Sequence, residues 1–394
     1  MLLLPVVGLC AGTVRRMRIL GTFIGGSGHF RPLVPVARAL EAAGHEVRVA
    51  GSGKVTPVVE AAGFRAFATS APRDAGAPAP VPEALEPVEA AAEERHFAEA
   101  FGGRGARRHA AALVEIAAEW RPDVIVRDEA DFGAAVAAEK LGIPCTTVLV
   151  LAAGSLLRRE LLAGPLGEVR AEHGLAPDPD LTMLERDLVL SPFPPSFRHP
   201  AFPLPAGTFS YRATDVVRAR SETPTVYFTL GTLFQPDTDD LFSRVVAGLR
   251  DVSANVVVTV GERNDPAALG PQPDHVRIER FIPQDELLPN CDLVVSHGGS
   301  GSVLGALAHG LPSVVLPLGA DQPHNAQRIL DLGLGKVLDP VTLTPYDVTT
   351  AVTEVLAGSN YRRAAERLQA ELGALPDVTR AVPLIEALAK HNDR

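Results

Sequence analysis

Short apolar runs alternate with amphipathic or small-residue stretches along most of the chain, and glycine or proline punctuates the joins. Arg18 to Phe23, His45 to Ala50, Asp123 to Val126 and Thr146 to Leu151 have the length and apolar content of buried strands. Pro32 to Ala43 follows the first of them with helical spacing and stops at Gly44, which suits a left-handed C-cap. The plan resumes later with strands at Thr225 to Leu230, Val256 to Val260, Val276 to Phe281, Leu293 to Ser296 and Pro312 to Leu316. Helices are expected at Leu241 to Leu249, Leu287 to Cys291, Ser302 to Ala308, Asp347 to Leu356, Tyr361 to Leu372 and Ala381 to Lys390. Strand followed by helix, repeated, predicts an α/β fold with parallel sheets. Glu89 to Glu119 reads as a helical region interrupted near Gly102, Gly103 and Gly105, and the Pro- and Ala-rich stretch Ala71 to Val88 as a long loop. No unit recurs at a solenoid-like period.

At 394 residues the chain exceeds what one core supports, so two domains are expected. Six prolines between Ser191 and Pro205 cannot donate to a sheet ladder and mark a connector. The expected units are 17–205, a linker 206–222, 223–375, and a last helical segment 376–394. Met17 opens the first strand, so residues 1–16 read as a non-structural extension. Its apolar part is too short to span a bilayer and lacks a basic residue ahead of it.

Hydrophobic residues make up 46% of the chain and charged residues 21%, as in a soluble globular protein. A formal charge of −10 weighs against nucleic acid or an anionic membrane as partner. Cys10, Cys145 and Cys291 have neither metal nor redox spacing, which fits free thiols in a reducing cytoplasm.

Candidate chemistry concentrates between Asp292 and Asn325. The strand ending at Ser296 opens onto His297-Gly298-Gly299-Ser300-Gly301-Ser302 and then a helix, which presents bare backbone N–H groups and a positive helix end to an anion such as a phosphate. The glycines admit close approach, while Ser302 and His297 add donors. The loop after the next strand carries Asp321, Gln322 and Asn325, groups that bind hydroxyls. Phosphate cradle, then carboxylate and amides, reads as a site for a diphosphate joined to a sugar. With Gly310-Leu311-Pro312 between them, these residues resemble the nucleotide-sugar signature of the family 1 glycosyltransferases, close to the bacterial enzymes that glycosylate antibiotics and other natural products.

In the first half, Gly25-Gly26-Ser27-Gly28 leads to His29 at a helix start. No carboxylate ends the second strand, where Ala50-Gly51-Ser52 stands, which disfavours NAD. The positive helix end is expected to keep the His29 ring neutral and able to accept a proton. Gly28-His29 with Pro32-Leu33 resembles the same family's acceptor-activating segment, which implies that His29 deprotonates the acceptor hydroxyl. Asp128 best matches the carboxylate that orients such a histidine, and Glu129 and Asp131 beside it are expected to be solvated loop carboxylates.

The resemblance implies a GT-B fold, two Rossmann-like domains facing an interdomain cleft, with the acceptor on the first domain and a TDP- or UDP-sugar on the second. It implies a last helix that packs back toward the first domain, and inverting transfer to a small, apolar natural-product aglycone. Thr232 after the first strand of the second half is either a phosphate contact or a plain turn, and Phe281 with Ile282 either holds the nucleotide base or belongs to the core. Asp237-Thr238-Asp239 precedes a helical pattern and reads as N-capping rather than metal-binding, so no metal and no cofactor beyond the nucleotide sugar are expected. A homodimer is compatible with this. A silent homologue acting as activator, or an epimerase or hydrolase of the same fold, remains open.

Overall fold

A computed structural model of the chain describes residues 15–71, 85–213, 223–231, 240–261 and 264–392. Residues 1–14, most of the Pro- and Ala-rich loop, Thr232 and Asp237-Thr238-Asp239 lie outside the described residues. Arg15 and Arg16, expected within the extension, reach Asp123 and Glu46 respectively.

Seven strands form the first sheet: β1 (Arg18–Thr22), β2 (Glu46–Gly51), β3 (Arg65–Ala68), β4 (Val124–Asp128), β5 (Cys145–Val148), β6 (Leu188–Ser191) and β7 (Phe209–Ser210). Their spatial order is β3-β2-β1-β4-β5-β6-β7, and every pairing is parallel. The second sheet contains β8 (Thr225–Thr229), β9 (Asn255–Thr259), β10 (Val276–Glu279), β11 (Leu293–Ser296), β12 (Ser313–Val315) and β13 (Gly335–Val337), also parallel, in the order β10-β9-β8-β11-β12-β13. In each sheet the chain winds one way and then the other. The connections therefore diverge beyond β1 and β4, and again beyond β8 and β11, opening a crevice at each topological switch point.

These strands carry apolar residues on both faces because helices cover both faces. Val226 and Phe228 of β8 pack into a cluster with Val245, Leu249, Val352 and Val355, while Tyr227 between them faces Leu287, Leu288 and Ala306 on the other side. Truncating fully buried Phe228 to alanine would cost about 3–5 kcal/mol.

Five elements differ from expectation, one being the loop expected to carry Asp321, Gln322 and Asn325: Asp321 is the N-cap of the helix Gln322–Asp331, which holds the other two. The first helix begins at Ser27 and continues through a 3-10 turn into Val34–Ala42, so His29 lies within the helix rather than ahead of it. The region 89–119 is not interrupted: Ala90–Phe97 runs through a π-helical segment, Ala98–Gly105, into Ala106–Trp120. A Cβ at Gly102 would meet Leu162 Cδ2 at 2.6 Å, so this glycine admits a packed neighbour instead of ending the helix. Strand β7 lies inside 206–222 and extends the first sheet past the expected linker start. The short helix expected at Leu287 to Cys291 begins earlier, at Gln284, and its second turn is 3-10.

The two sheets are joined by one apolar cluster that combines Leu149, Phe193 and Phe197 with Val303, Leu307 and Ile329. Arg328 adds hydrogen bonds to the carbonyls of Phe197 and Ser196. The last helix, Val382–Asn392, returns to the first sheet's core through Val382 and Ile385, and Glu386 meets His45 at 3.0 Å.

Candidate active site

His29 stands beyond β1 and Asp128 ends β4, so the first switch point brings them together. Nδ1 of His29 lies 3.3 Å from Oδ2 of Asp128, a close approach that leaves Nε2 as the nitrogen turned from the carboxylate. Gly25 makes room for the ring: it has φ +100°, and a Cβ there would meet His29 Cδ2 at 3.0 Å. Phe101, from the π-helical segment, stacks on the imidazole at a centroid distance of 5.7 Å. The imidazole is half-buried, with 22% of its side-chain surface exposed. Burial is the largest single influence on this ring and lowers its pKa, but Asp128, then Asp321 and Asp131, outweigh it, and the net direction is upward. Nearby carboxylates therefore overrule the helix end expected to hold the ring neutral.

Glu129 and Asp131 are not solvated. All three acids at this turn are buried, and each points a different way. Asp128 accepts from the N–H groups of Ile24 (2.9 Å), Ala130 (2.5 Å) and Asp131 (2.8 Å), which fixes its orientation toward His29. Glu129 accepts from Val150 and Leu151 and pairs with Arg198 at 3.2 Å. Asp131 caps the helix Phe132–Leu141, accepts from Thr22 Oγ1 and pairs with buried His109 at 2.9 Å. One strand end thus feeds three separate networks.

At the second switch point His297 follows β11 in a tighter setting. A Cβ on Gly231 would meet its Cε1 at 2.6 Å, and one on Gly299 would meet its Nε2 at 2.5 Å, so the imidazole lies between two glycine backbones. Burial drives its pKa down to about 4, with Asp321 pulling the other way. The ring is neutral at ordinary pH and can offer a hydrogen bond, not a charge. Gly298, at φ +80°, is required by the turn itself, and its Cβ would strike Val315. Gly301 alone of the three glycines faces open space. The helix Ser300–Ala308 starts here, with Ser302 half-buried in its first turn.

Asp321, Gln322 and Asn325 converge on that helix start but are largely engaged with protein. Asp321 Oδ2 accepts from Ser300 N, Ser300 Oγ and Asn325 Nδ2, and Oδ1 takes none of these bonds. Gln322 is buried and accepts from Leu318 N. Asn325 is fully buried: Nδ2 donates to Gly298 O at 2.9 Å, and Oδ1 accepts from Ala153 N at 3.1 Å. The sugar contact expected of Asn325 is therefore replaced by a tie between the turn and the first sheet's loop.

That loop completes the link. Ala152 N donates to Ser300 Oγ at 2.7 Å, and across the cleft Glu93 Oε2 accepts from Ala320 N at 2.6 Å. Asp321 acts electrostatically on both His29 and His297.

Comparison with known proteins gives the arrangement its family. Residues 38–199 match the family model described as Erythromycin biosynthesis protein CIII-like, N-terminal domain, and residues 243–388 its C-terminal domain. L-demethylnoviosyl transferase of Streptomyces niveus is 31% identical, over 91% of this chain and 94% of that protein. Tylactone mycaminosyltransferase of Streptomyces fradiae is 29% identical over 94% and 92%. The crystal structure of the Streptomyces sp. SF2575 glycosyltransferase SsfS6, complexed with thymidine diphosphate, matches at a TM-score of 0.73 and 28% identity over 94% of this chain and all of that one. The chain belongs to the family 1 natural-product glycosyltransferases. Its fold is GT-B.

In this glycosyltransferase Phe281 and Ile282 follow β10 at the edge of the second sheet, away from the His297 turn in strand order. Phe281 is 50% exposed and so is not core, whereas Ile282 packs against the cluster that holds Ala306 of the Ser300–Ala308 helix. Among the described residues no group of three or more His, Cys, Asp or Glu side chains is placed to hold a metal ion, and no helix is long and apolar enough to cross a membrane. Cys145 and Cys291 are buried free thiols. Sequence reasoning missed Phe101, whose spacing of four from Phe97 was its one signal, and Ala152 and Ala153, which act through backbone N–H and carry none.

Proposed function

We propose that this glycosyltransferase moves a sugar from a TDP-linked donor to a hydroxyl of a small apolar natural-product aglycone, inverting the anomeric centre without a metal ion. The acceptor O–H gives its proton to His29 Nε2 as its oxygen bonds to the anomeric carbon. The bond from that carbon to the diphosphate breaks, and TDP leaves with the electron pair. Asp128, held by three backbone N–H groups, orients the ring and stabilises its new charge. His297 donates a hydrogen bond to the diphosphate, and the open backbone at Gly301 and Ser302 receives its charge at a helix N-terminus. Asp321 Oδ1 and Gln322 hold sugar hydroxyls, Phe281 stacks on the base with Ile282 beside it, and Thr232 serves as a phosphate contact. The relatives named for antibiotic sugars and the TDP-bound neighbour support this choice of donor and acceptor.

The observation that supports the reading is that the two halves meet at the donor turn, where Ala152 N donates to Ser300 Oγ, Ala153 N to Asn325 Oδ1 and Ala320 N to Glu93. The test is turnover of TDP-sugars with an aglycone panel in EDTA, with product configuration read by NMR. An inverted glycoside formed only when aglycone is present supports the proposal. TDP release with no need for aglycone, or activity abolished by EDTA, contradicts it.

A further inference from the structure

The helix that begins at Ala90 and runs on through the π-helical segment touches the donor turn at one end and His29 further along. In its first turn Glu93 reaches across the cleft, and its Oε2 accepts from Ala320 N at 2.6 Å. Ala320 directly precedes Asp321 and has φ +55°, a left-handed backbone that a residue with a Cβ keeps only where its surroundings impose it. Glu94 adds a second contact from the same turn: it pairs with Arg158 at 3.1 Å and stands 3.7 Å from Nε2 of His324, one turn past Asp321. The start of this helix is therefore seated on the turn that carries Asp321.

Four residues after Glu93 comes buried Phe97, its neighbour on the helix surface, and four further on Phe101 stacks against Phe97 with centroids 4.8 Å apart. Phe101 in turn stacks on the His29 imidazole at 5.7 Å. Phe97 also meets Phe132 edge-on at 5.9 Å, so the stack is wedged against the helix that Asp131 caps. Close-packed rings pass a displacement on instead of absorbing it. We propose that Glu93 is a positioning residue for transfer: by gripping Ala320 it sets the Phe97–Phe101 stack, and through it the His29 ring, relative to a donor held at Asp321. The proposal rests on His29 being the base, as in the proposed function. A reacting group misplaced by about 1 Å lowers the rate on the order of a hundredfold, even when the substitution lies far from the reacting atoms.

Glu93→Ala, Glu93→Gln, Phe101→Ala and His29→Ala are compared in the full-length protein, using the TDP-sugar and aglycone that the turnover panel selects. The readouts are kcat and KM, calorimetric TDP affinity and the NMR signal of the His29 ring. Glu93→Ala is expected to lower kcat about ten- to a hundredfold with TDP affinity unchanged, and to move the His29 signal toward its position in Phe101→Ala. Glu93→Gln recovers most of the loss, because an amide oxygen still accepts from Ala320 N. The double variant Glu93→Ala/Phe101→Ala should lose less than the two single losses combined, since both act on one ring. A raised KM with unchanged kcat, or a His29 signal that Glu93→Ala leaves in place, overturns the proposal. Wild-type transfer by Glu93→Ala beside an inactive His29→Ala removes this proposal alone, whereas undiminished transfer by His29→Ala removes the base and this proposal with it.

Discussion

The two histidine turns each follow a strand beside a switch point, β1 in one sheet and β11 in the other, yet their electrostatics run in opposite directions. At His29 three carboxylates outweigh burial and raise the pKa. At His297 burial wins and lowers it to about 4, with Asp321 the opposing charge. Both turns are glycine-rich and both lead into helices, so neither the turn nor the helix dipole decides the outcome. Carboxylate supply does. Beyond β4 stand Asp128 and Asp131, whereas β8, the neighbour of β11, is followed by Leu230 and Gly231. The same side chain thus becomes a candidate base in one domain and a neutral donor in the other.

The contrast can be broken from either side. His29→Ala is expected to lower transfer about a thousandfold while TDP affinity is unchanged, read by single-turnover kinetics and calorimetry. A parallel loss of TDP affinity would show that the first turn is not separable from the donor site. Asp128→Asn should lower the plateau of kcat/KM about a hundredfold and also move its acid limb. In the wild type the rate rises as His29 loses its proton, at a pH above the ordinary 6.5 because carboxylates raise that pKa. Removing Asp128 removes the largest raising influence, so the limb shifts to lower pH. A limb that stays in place would assign it to another group.

Gly299→Ala tests the second turn. Its Cβ would lie 2.5 Å from His297 Nε2, so the ring must move, and TDP affinity should fall by about ten- to a hundredfold with a smaller loss of unfolding midpoint. Intact affinity would mean that His297 does not face the diphosphate. Phe281→Ala carries the smallest effect, about tenfold in TDP affinity with stability nearly unchanged because the ring is half exposed. A large drop in midpoint would identify the ring as packing instead.

What was legible in the sequence follows from how each residue acts. Strand runs such as Leu293–Ser296 and the glycine turn after it were readable because apolar periodicity and missing side chains are local signals. Asp128 was separable from its neighbours only by resemblance, since three acids in four residues look alike until the chain direction at the strand end turns each elsewhere. The glycines between Ala90 and Trp120 look like a helix break in the sequence because the reason for Gly102 is distant: the helix Arg159–Glu172 packs Leu162 onto it. In the sequence Asn325 looks like a ligand group because its partner Ala153 contributes only a backbone N–H, which no sequence pattern marks. Local geometry was visible, and contacts between the two sheets were not.

The most direct measurement is an NMR pH titration of the His29 and His297 imidazoles in the same protein, with and without saturating TDP. The account predicts that His29 titrates above 6.5 and His297 near 4 in the free protein, and that TDP, placing a diphosphate on the second turn, raises the His297 value. Two rings titrating together near 6.5, or a His297 titration that TDP leaves unmoved, would contradict it.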